Sequence, residues 1–327
     1  MEYVRLGYAG VRVARVCLGT MTFGREADEE MSFHIMDRYV ELGGNFFDTA
    51  DAYSAGASEE IVGRWLKKRG ARHDIVLATK VHTTMGPGPN DGGLSRLHIQ
   101  QGVEDSLARL QTDVIDLYQI HRWDPEVPVE ETLEALSDLV RAGKVRYIGC
   151  SNLTAWQLSK FLYTADLFGL TRFISLQPIY NAINRGIERE VLPLCEDAGL
   201  GVIPYNPLAG GMLTGKYKRG EQLPSGARLG AFSAYYDRYY TDMSFDVVEA
   251  FVAKAEERGV SPAQLALAWV LADPRVTCPI MGARNLEQLN DTIQGLDIRL
   301  TPEEREEIPA VPPGHYVGED PVYDRTD

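Results

Sequence analysis

The sequence predicts an α/β protein built as a (β/α)8 TIM barrel, with an N-terminal hairpin and a long loop after the seventh strand. Eight short apolar runs alternate with longer amphipathic segments, the pattern of strands and helices around a parallel sheet. The runs are apolar at nearly every position, as strands buried on both faces must be. No change of composition divides them, so residues 1–327 read as one domain. Spacing alone leaves a doubly wound sheet as the alternative. Against a dinucleotide-binding form of that sheet stands the lack of Gly-x-Gly-x-x-Gly after any run.

Taken in order, the first thirteen residues are expected to form a hairpin with Tyr8-Ala9-Gly10 at its turn, closing the floor of the barrel. The eight strands are expected at Ala14 to Leu18, Asn45 to Asp48, Ile75 to Lys80, Ile115 to His121, Tyr147 to Cys150, Phe173 to Gln177, Gly201 to Tyr205 and Thr277 to Met281. Between them lie helical stretches at Glu29 to Leu42, Glu59 to Lys68, Leu97 to Leu110, Val129 to Ala142, Ala155 to Phe168 and Glu188 to Ala198. Gly43, Gly70, Gly143 and Gly199 fit helix stops. Two segments break the rhythm. Met85 to Gly93 is rich in Gly and Pro and must be a loop beyond Lys80. Ala209 to Asp242 carries Gly210-Gly211, Lys216 and the aromatics Tyr235, Tyr236, Tyr239 and Tyr240. Its length and its place after the seventh strand predict a lid. The tail Pro309 to Asp327 either covers the same rim or stays disordered.

A formal net charge of −14 argues against affinity for nucleic acid or an anionic membrane, both of which need basic patches. No apolar run approaches the ~20 residues of a membrane helix. The N-terminus lacks a basic segment followed by an apolar stretch, so a cytoplasmic location is expected. Cys17, Cys150, Cys195 and Cys278 lie far apart without Cys-x-x-Cys spacing and read as small buried apolar residues. The six histidines form no metal signature, and no metal is expected.

Chemistry is usually placed where parallel strands end, and four residues stand at such ends: Asp48, Tyr53 five positions on, Lys80 and His121. A tyrosine hydroxyl with a pKa near ~10 is a weak acid at neutral pH, and a neighbouring ammonium favours its phenolate. Lys80 supplies that charge, Asp48 holds the lysine protonated, and His121 orients a carbonyl oxygen beside Tyr53. The set suits protonation of a carbonyl oxygen while a cofactor delivers hydride to its carbon. Singly, Asp48 with Lys80 reads as a structural ion pair and Tyr53 as a packing residue. Four such accidents at adjacent strand ends are needed for a wholly structural reading.

The stretches Phe47-Asp48-Thr49-Ala50-Asp51-Ala52-Tyr53, Thr79-Lys80, His121-Arg122-Trp123-Asp124, Gly143-Lys144-Val145-Arg146-Tyr147-Ile148-Gly149-Cys150-Ser151-Asn152 and Tyr205-Asn206-Pro207-Leu208 carry a resemblance. With Leu18-Gly19-Thr20-Met21 at one end and the eighth strand at the other, the chain resembles the aldo-keto reductase superfamily along nearly its whole length. The resemblance implies a (β/α)8 barrel binding NADP(H), with Tyr53 as general acid/base, Lys80 and Asp48 tuning it, and His121 orienting the carbonyl. It places Ser151, Asn152 and Gln177 at the nicotinamide carboxamide and Tyr205 against the nicotinamide ring. Asn206 and Pro207 continue that cofactor-binding stretch. Leu208, Gly211, Leu213 and Lys216 fall along the pyrophosphate, and Thr20 and Met21 at the first-strand contact. Gly282 opens the stretch in which Arg284, at the start of a helix, suits a 2′-phosphate. Gln288 lies at the adenosine end, where many relatives carry Glu-Asn and this chain has Asp291-Thr292.

The leading expectation is an NADPH-dependent reductase of aldehydes or ketones that runs in reverse on alcohols. Two alternatives stay open: a cofactor-binding barrel subunit that regulates a partner such as a potassium channel, and a lyase using Lys80 as a Schiff base. Trp123, Met85 and the loop aromatics are candidates for the wall of a substrate pocket.

Overall fold

In the computed structural model, which describes residues 1–224, 226–231 and 238–315, eight parallel strands surround a packed interior. Tyr235 and Tyr236 of the expected lid, and the tail from residue 316, lie outside the described residues. The chain enters through an antiparallel hairpin of β1 (Tyr3–Arg5) and β2 (Arg12–Ala14). The barrel strands are β3 (Cys17–Gly19), β4 (Phe46–Asp48), β5 (Val76–Val81), β6 (Ile115–Ile120), β7 (Val145–Ser151), β8 (Phe173–Gln177), β9 (Gly201–Val202) and β10 (Ile280–Gly282). They are paired in sequence order, with β10 beside β3. Backbone N–H groups of Thr277 and Ile280 donate to Val202 and Pro204 carbonyls, each at 2.8 Å, and close the ring between β9 and β10. A parallel sheet closed in this way has no free edge.

The hairpin is the barrel floor, as expected. Leu6, Ala9 and Val13 pack into one apolar cluster with Phe46, Ala78, Leu117 and Ile174 from the barrel strands and Ile203 just after β9. Gly7 fits there only because it lacks a Cβ, which would lie 2.5 Å from the Gly201 nitrogen and the Ile174 oxygen, and its φ of +60° favours glycine in any case.

Three strand boundaries differ from expectation by three residues, each for a local reason, while β7 begins two residues early and the other ends shift by one at most. The run Ala14 to Leu18 divides, because Ala14 pairs with Tyr3 in the hairpin and donates its N–H to Asn45 Oδ1, so the barrel strand starts at Cys17. The seventh barrel strand stops at Val202 instead of Tyr205. Pro204 has no N–H for the ladder, and Tyr205 meets Ile179 in an isolated bridge. Pro279 acts likewise before β10, which spans Ile280–Gly282 rather than Thr277 to Met281.

The helices are α1 (Glu29–Glu41), α2 (Ala57–Arg69), α3 (Arg96–Leu110), α4 (Val129–Arg141), α5 (Ala155–Phe168) and α6 (Val191–Asp197), followed by α7 (Asp242–Glu257), α8 (Pro262–Leu271), α9 (Leu286–Ile293) and α10 (Pro302–Glu307). Several starts are set by side-chain capping: Asp28 accepts from Met31 N–H, Ser95 from His98 N–H, and Thr154 with Gln157 forms a capping box. The loop after β9 is not structureless, since Ala209–Thr214 is a 3₁₀ segment and Arg228–Ala231 a helical turn. The four cysteines are free and buried. Among the described residues no helix is long and apolar enough to cross a membrane.

Candidate active site

Asp48 ends β4 and Lys80 lies near the end of β5, so neighbouring parallel strands deliver a carboxylate and an ammonium to the same rim. Lys80 is fully buried, and its Nζ donates to Asp48 Oδ2 at 2.6 Å, to the Thr49 carbonyl at 2.8 Å and to Tyr53 Oη at 3.1 Å. Burial alone disfavours the ammonium, but the charges of Asp48 and Tyr53 outweigh it and raise the Lys80 pKa above its ordinary value. The other oxygen of Asp48 accepts from Gln119 Nε2 at 3.1 Å and Gln177 Nε2 at 2.8 Å. A buried carboxylate with three donors is fixed in place.

Tyr53 follows a short turn and opens a 3₁₀ segment, Tyr53–Gly56, in which Ser54 and Ala55 hold φ of 51° and 52°. Left-handed conformations cost non-glycine residues free energy and persist where surrounding structure imposes them. Here Ser54 Oγ donates to the Phe23 carbonyl at 2.8 Å, tying the turn to the loop after β3. The His121 ring meets Tyr53 edge-on with centroids 6.0 Å apart. Asn152 Nδ2 donates to the His121 carbonyl at 3.1 Å, and Tyr205 Oη donates to Asn152 Oδ1 at 2.9 Å. The four strand-end residues therefore share one site.

That site opens into a cleft of about 380 Å³. Met21, Asp48 and Tyr53 line it; so do Tyr205, Asn206, Pro207 and Leu208 from the segment after β9, with Gly211 and Lys216 beyond them. Gly282, Arg284 and Gln288 line it from the segment after β10. Thr20 and Leu213 are buried away from its surface, Thr20 Oγ1 donating to the Asp48 carbonyl. Ser151 donates to the Gln177 carbonyl at 2.7 Å, and Gln177 spends its amide on Asp48. Gly210 and Gly211 are left-handed at φ of 65° and 94°. A Cβ on Gly211 would lie 2.6 Å from the end of the Lys216 side chain. Arg284 Nη1 donates to the Gly226 carbonyl at 3.2 Å, reaching the segment after β9.

Some lining residues escaped the sequence reading. Ser261, Pro262 and Ala263 bring the start of α8 to the cleft, and Asp291 faces them, accepting from Ser261 Oγ at 2.9 Å and Gln264 Nε2 at 2.8 Å. The signal was present, since Ser261-Pro262-Ala263-Gln264 is a capping box with proline at the first helical position. The substrate-wall candidates are more scattered. Trp123 packs edge-to-face on Trp156 and Phe161 of α5, at 5.4 and 5.7 Å, and Met85 sits exposed in the loop after β5. Tyr239 is buried and its hydroxyl accepts from Asn206 Nδ2 at 2.6 Å.

Asp51 is buried beside this site. Burial first, then the Glu59 carboxylate, push its carboxyl up to about 7, against the Ala52 N–H, Arg109 and Lys80, which pull it down. In the unfolded chain a carboxyl titrates near ~4. The folded state thus gains stability from protonated Asp51 that is complete below the unfolded value and is lost as pH rises through about 7. Asp51→Asn removes that loss. Urea unfolding should show the variant gaining roughly 3 kcal/mol on the parent between pH 5 and pH 8. An equal difference at both pH values would refute the assignment.

The chain belongs to the Aldo/keto reductase family of carbonyl-reducing oxidoreductases, whose sequence model matches residues 15–312. It is 42% identical over 313 residues to an uncharacterized oxidoreductase, YrpG, of Bacillus subtilis, covering 93% of each chain. It is 37% identical to norsolorinic acid reductase B of Dothistroma septosporum, over 96% of this chain and 82% of that one. It is also 38% identical to a probable voltage-gated potassium channel subunit beta of rice, over 95% and 96% of the two chains. The family uses nicotinamide cofactors and acts on small carbonyl compounds.

Proposed function

We propose that this protein is an NADP(H)-dependent oxidoreductase that reduces an aldehyde or ketone to an alcohol, reversibly, with Tyr53 as general acid/base. The observation that carries the reading is the fully buried Lys80 ammonium, held by Asp48 at 2.6 Å and donating to Tyr53 Oη at 3.1 Å beside a cleft. A bound nicotinamide supplies the hydride. Tyr53 Oη gives its proton to the substrate oxygen as negative charge develops there. The Lys80 ammonium stabilises the phenolate left behind, and Asp48 keeps that ammonium charged and aimed. His121 offers a ring nitrogen to orient the carbonyl, and in the reverse direction Tyr53 phenolate takes the alcohol proton.

The residues present suit the dinucleotide. Asn152 and Ser151 offer amide and hydroxyl groups for a carboxamide, Gln177, with its Nε2 on Asp48, offers its Oε1, and Tyr205 offers an aromatic face. Gly210 and Gly211 allow close backbone approach to a pyrophosphate near Lys216. Arg284 suits a 2′-phosphate, and Gln288 the adenosine end. The Schiff-base reading requires a neutral amine, which the raised Lys80 pKa opposes. The regulatory reading rests on likeness to the rice channel subunit.

Fluorescence titration with NADPH and NADH, followed by a carbonyl screen, tests the proposal. Micromolar or tighter NADPH with turnover supports it, binding without turnover favours the regulatory reading, and no binding to either cofactor rejects both. Arg284→Ala should weaken NADPH about tenfold or more while leaving NADH nearly unchanged, because only the former carries the extra phosphate. Equal losses would take Arg284 out of the phosphate site.

A further inference from the structure

Behind the Tyr53–Lys80 pair lies a buried charged group that the proposed chemistry does not use. Glu59, on the first turn of α2, is 0% exposed. Its Oε1 accepts from Thr79 Oγ1 at 2.5 Å, and its Oε2 accepts from Arg109 Nε at 2.6 Å. Both partners lead to the site. Thr79 immediately precedes Lys80 on β5, its side chain on the opposite face of the strand, so anchoring Thr79 to α2 fixes the strand segment from which Lys80 projects inward. Arg109, from α3, lies against Gly56, where an added Cβ would come within 2.8 Å of its Cδ. Gly56 is the last of three consecutive left-handed residues after Tyr53, with φ of 94°. The conformation of that turn sets where the phenol points.

A buried glutamate is costly unless paired and hydrogen-bonded. A salt bridge serving stability alone has no need to sit where it touches both the neighbour of the lysine and the turn that carries the tyrosine. We infer that Glu59 is a positioning residue for proton transfer: through Thr79 on one side and Arg109 on the other, it sets the distance between Lys80 Nζ and Tyr53 Oη. This inference rests on the reductase reading of the site.

Its charge also reaches Asp51, raising that carboxyl after burial has done so. Arg109 of α3 and Lys80 of β5 oppose the rise, and Tyr118 of β6 feels Asp51 in turn. Neutralising Glu59 therefore leaves a titratable reporter beside the site.

The test compares Glu59→Gln and Thr79→Val with the parent in the full-length protein, with steady-state NADPH-dependent carbonyl reduction measured across pH. Glu59→Gln removes the charge that holds Arg109, while Thr79→Val cuts only the limb to β5 and keeps the side-chain shape. Both should lower kcat about 10- to 100-fold, with KM and NADPH affinity within twofold of the parent, because a shift of about an ångström at the donor pair acts on the transition state alone. Both should also move the alkaline limb of the kcat profile upward, since a more distant ammonium favours phenolate less. Glu59→Gln should in addition lower the Asp51 titration, read by carboxyl NMR. Parent-like kcat and pH limbs in folded variants, with only the melting temperature reduced, would overturn the inference and leave Glu59 a structural ion pair. Should Glu59→Gln fail to fold, Thr79→Val decides alone. An inactive parent enzyme would instead refute the reductase reading and with it this inference, which separates the two failures.

Discussion

Tyr53→Phe should lose carbonyl turnover by three orders of magnitude or more while binding NADPH as the parent does. The phenol combines a transferable proton with a cation at 3.1 Å, the Lys80 ammonium. General acid catalysis contributes roughly 10²–10⁴-fold, and the phenylalanine ring keeps the packing of the tyrosine while removing its oxygen. The variant also relieves Lys80 of one acceptor, but Asp48 and the Thr49 carbonyl remain, so the ion pair and the fold should survive. Steady-state kinetics on one aldehyde, paired with fluorescence titration by NADPH, checks both halves. Turnover within tenfold of the parent would remove Tyr53 from the proton-transfer role, and a parallel loss of NADPH affinity would mean that the substitution disturbs the cleft instead.

The strand ends were legible because burial on both faces of a parallel sheet leaves an apolar run whose last residue is forced to the rim. Asp48, Lys80 and His121 were found by that rule, and the structure brings the first two into contact and the third beside Tyr53. What stayed illegible depends on contacts between distant elements. Nothing local in Ser54-Ala55 announces a left-handed turn, since neither residue favours it; the Ser54 bond to the Phe23 carbonyl 31 positions away helps impose it. Glu59 entered the sequence reading only as the start of a helical stretch, and its bonds to Thr79 and Arg109, 20 and 50 positions away, appear only in the fold. Trp123, two residues past His121, was expected at a substrate wall, yet its ring packs against α5, a partner that sequence spacing does not reveal. The early end of β9 was readable in principle from Pro204, whose missing N–H outweighs the apolar run around it.

Lys80→Met should be both inactive and markedly unstable, and the instability carries the more specific information. Removing the ammonium leaves the Asp48 carboxylate, 1% exposed, with only the amides of Gln119 and Gln177 to solvate it. Breaking a buried ion pair from one side costs about 3–5 kcal/mol, whereas removing both charges together can be nearly neutral. The double variant Asp48→Asn/Lys80→Met should therefore regain most of the lost stability and none of the activity. The sign of the pH effect follows from the raised Lys80 pKa: its contribution is complete below the unfolded value near ~10 and is lost only as pH rises through the folded one, so it is fully present at pH 7. Urea unfolding of the single and double variants at pH 7 measures this. A single variant as stable as the parent at pH 7 would mean that the pair is not held as two opposed charges, and the electrostatic account of Tyr53 activation would fall with it.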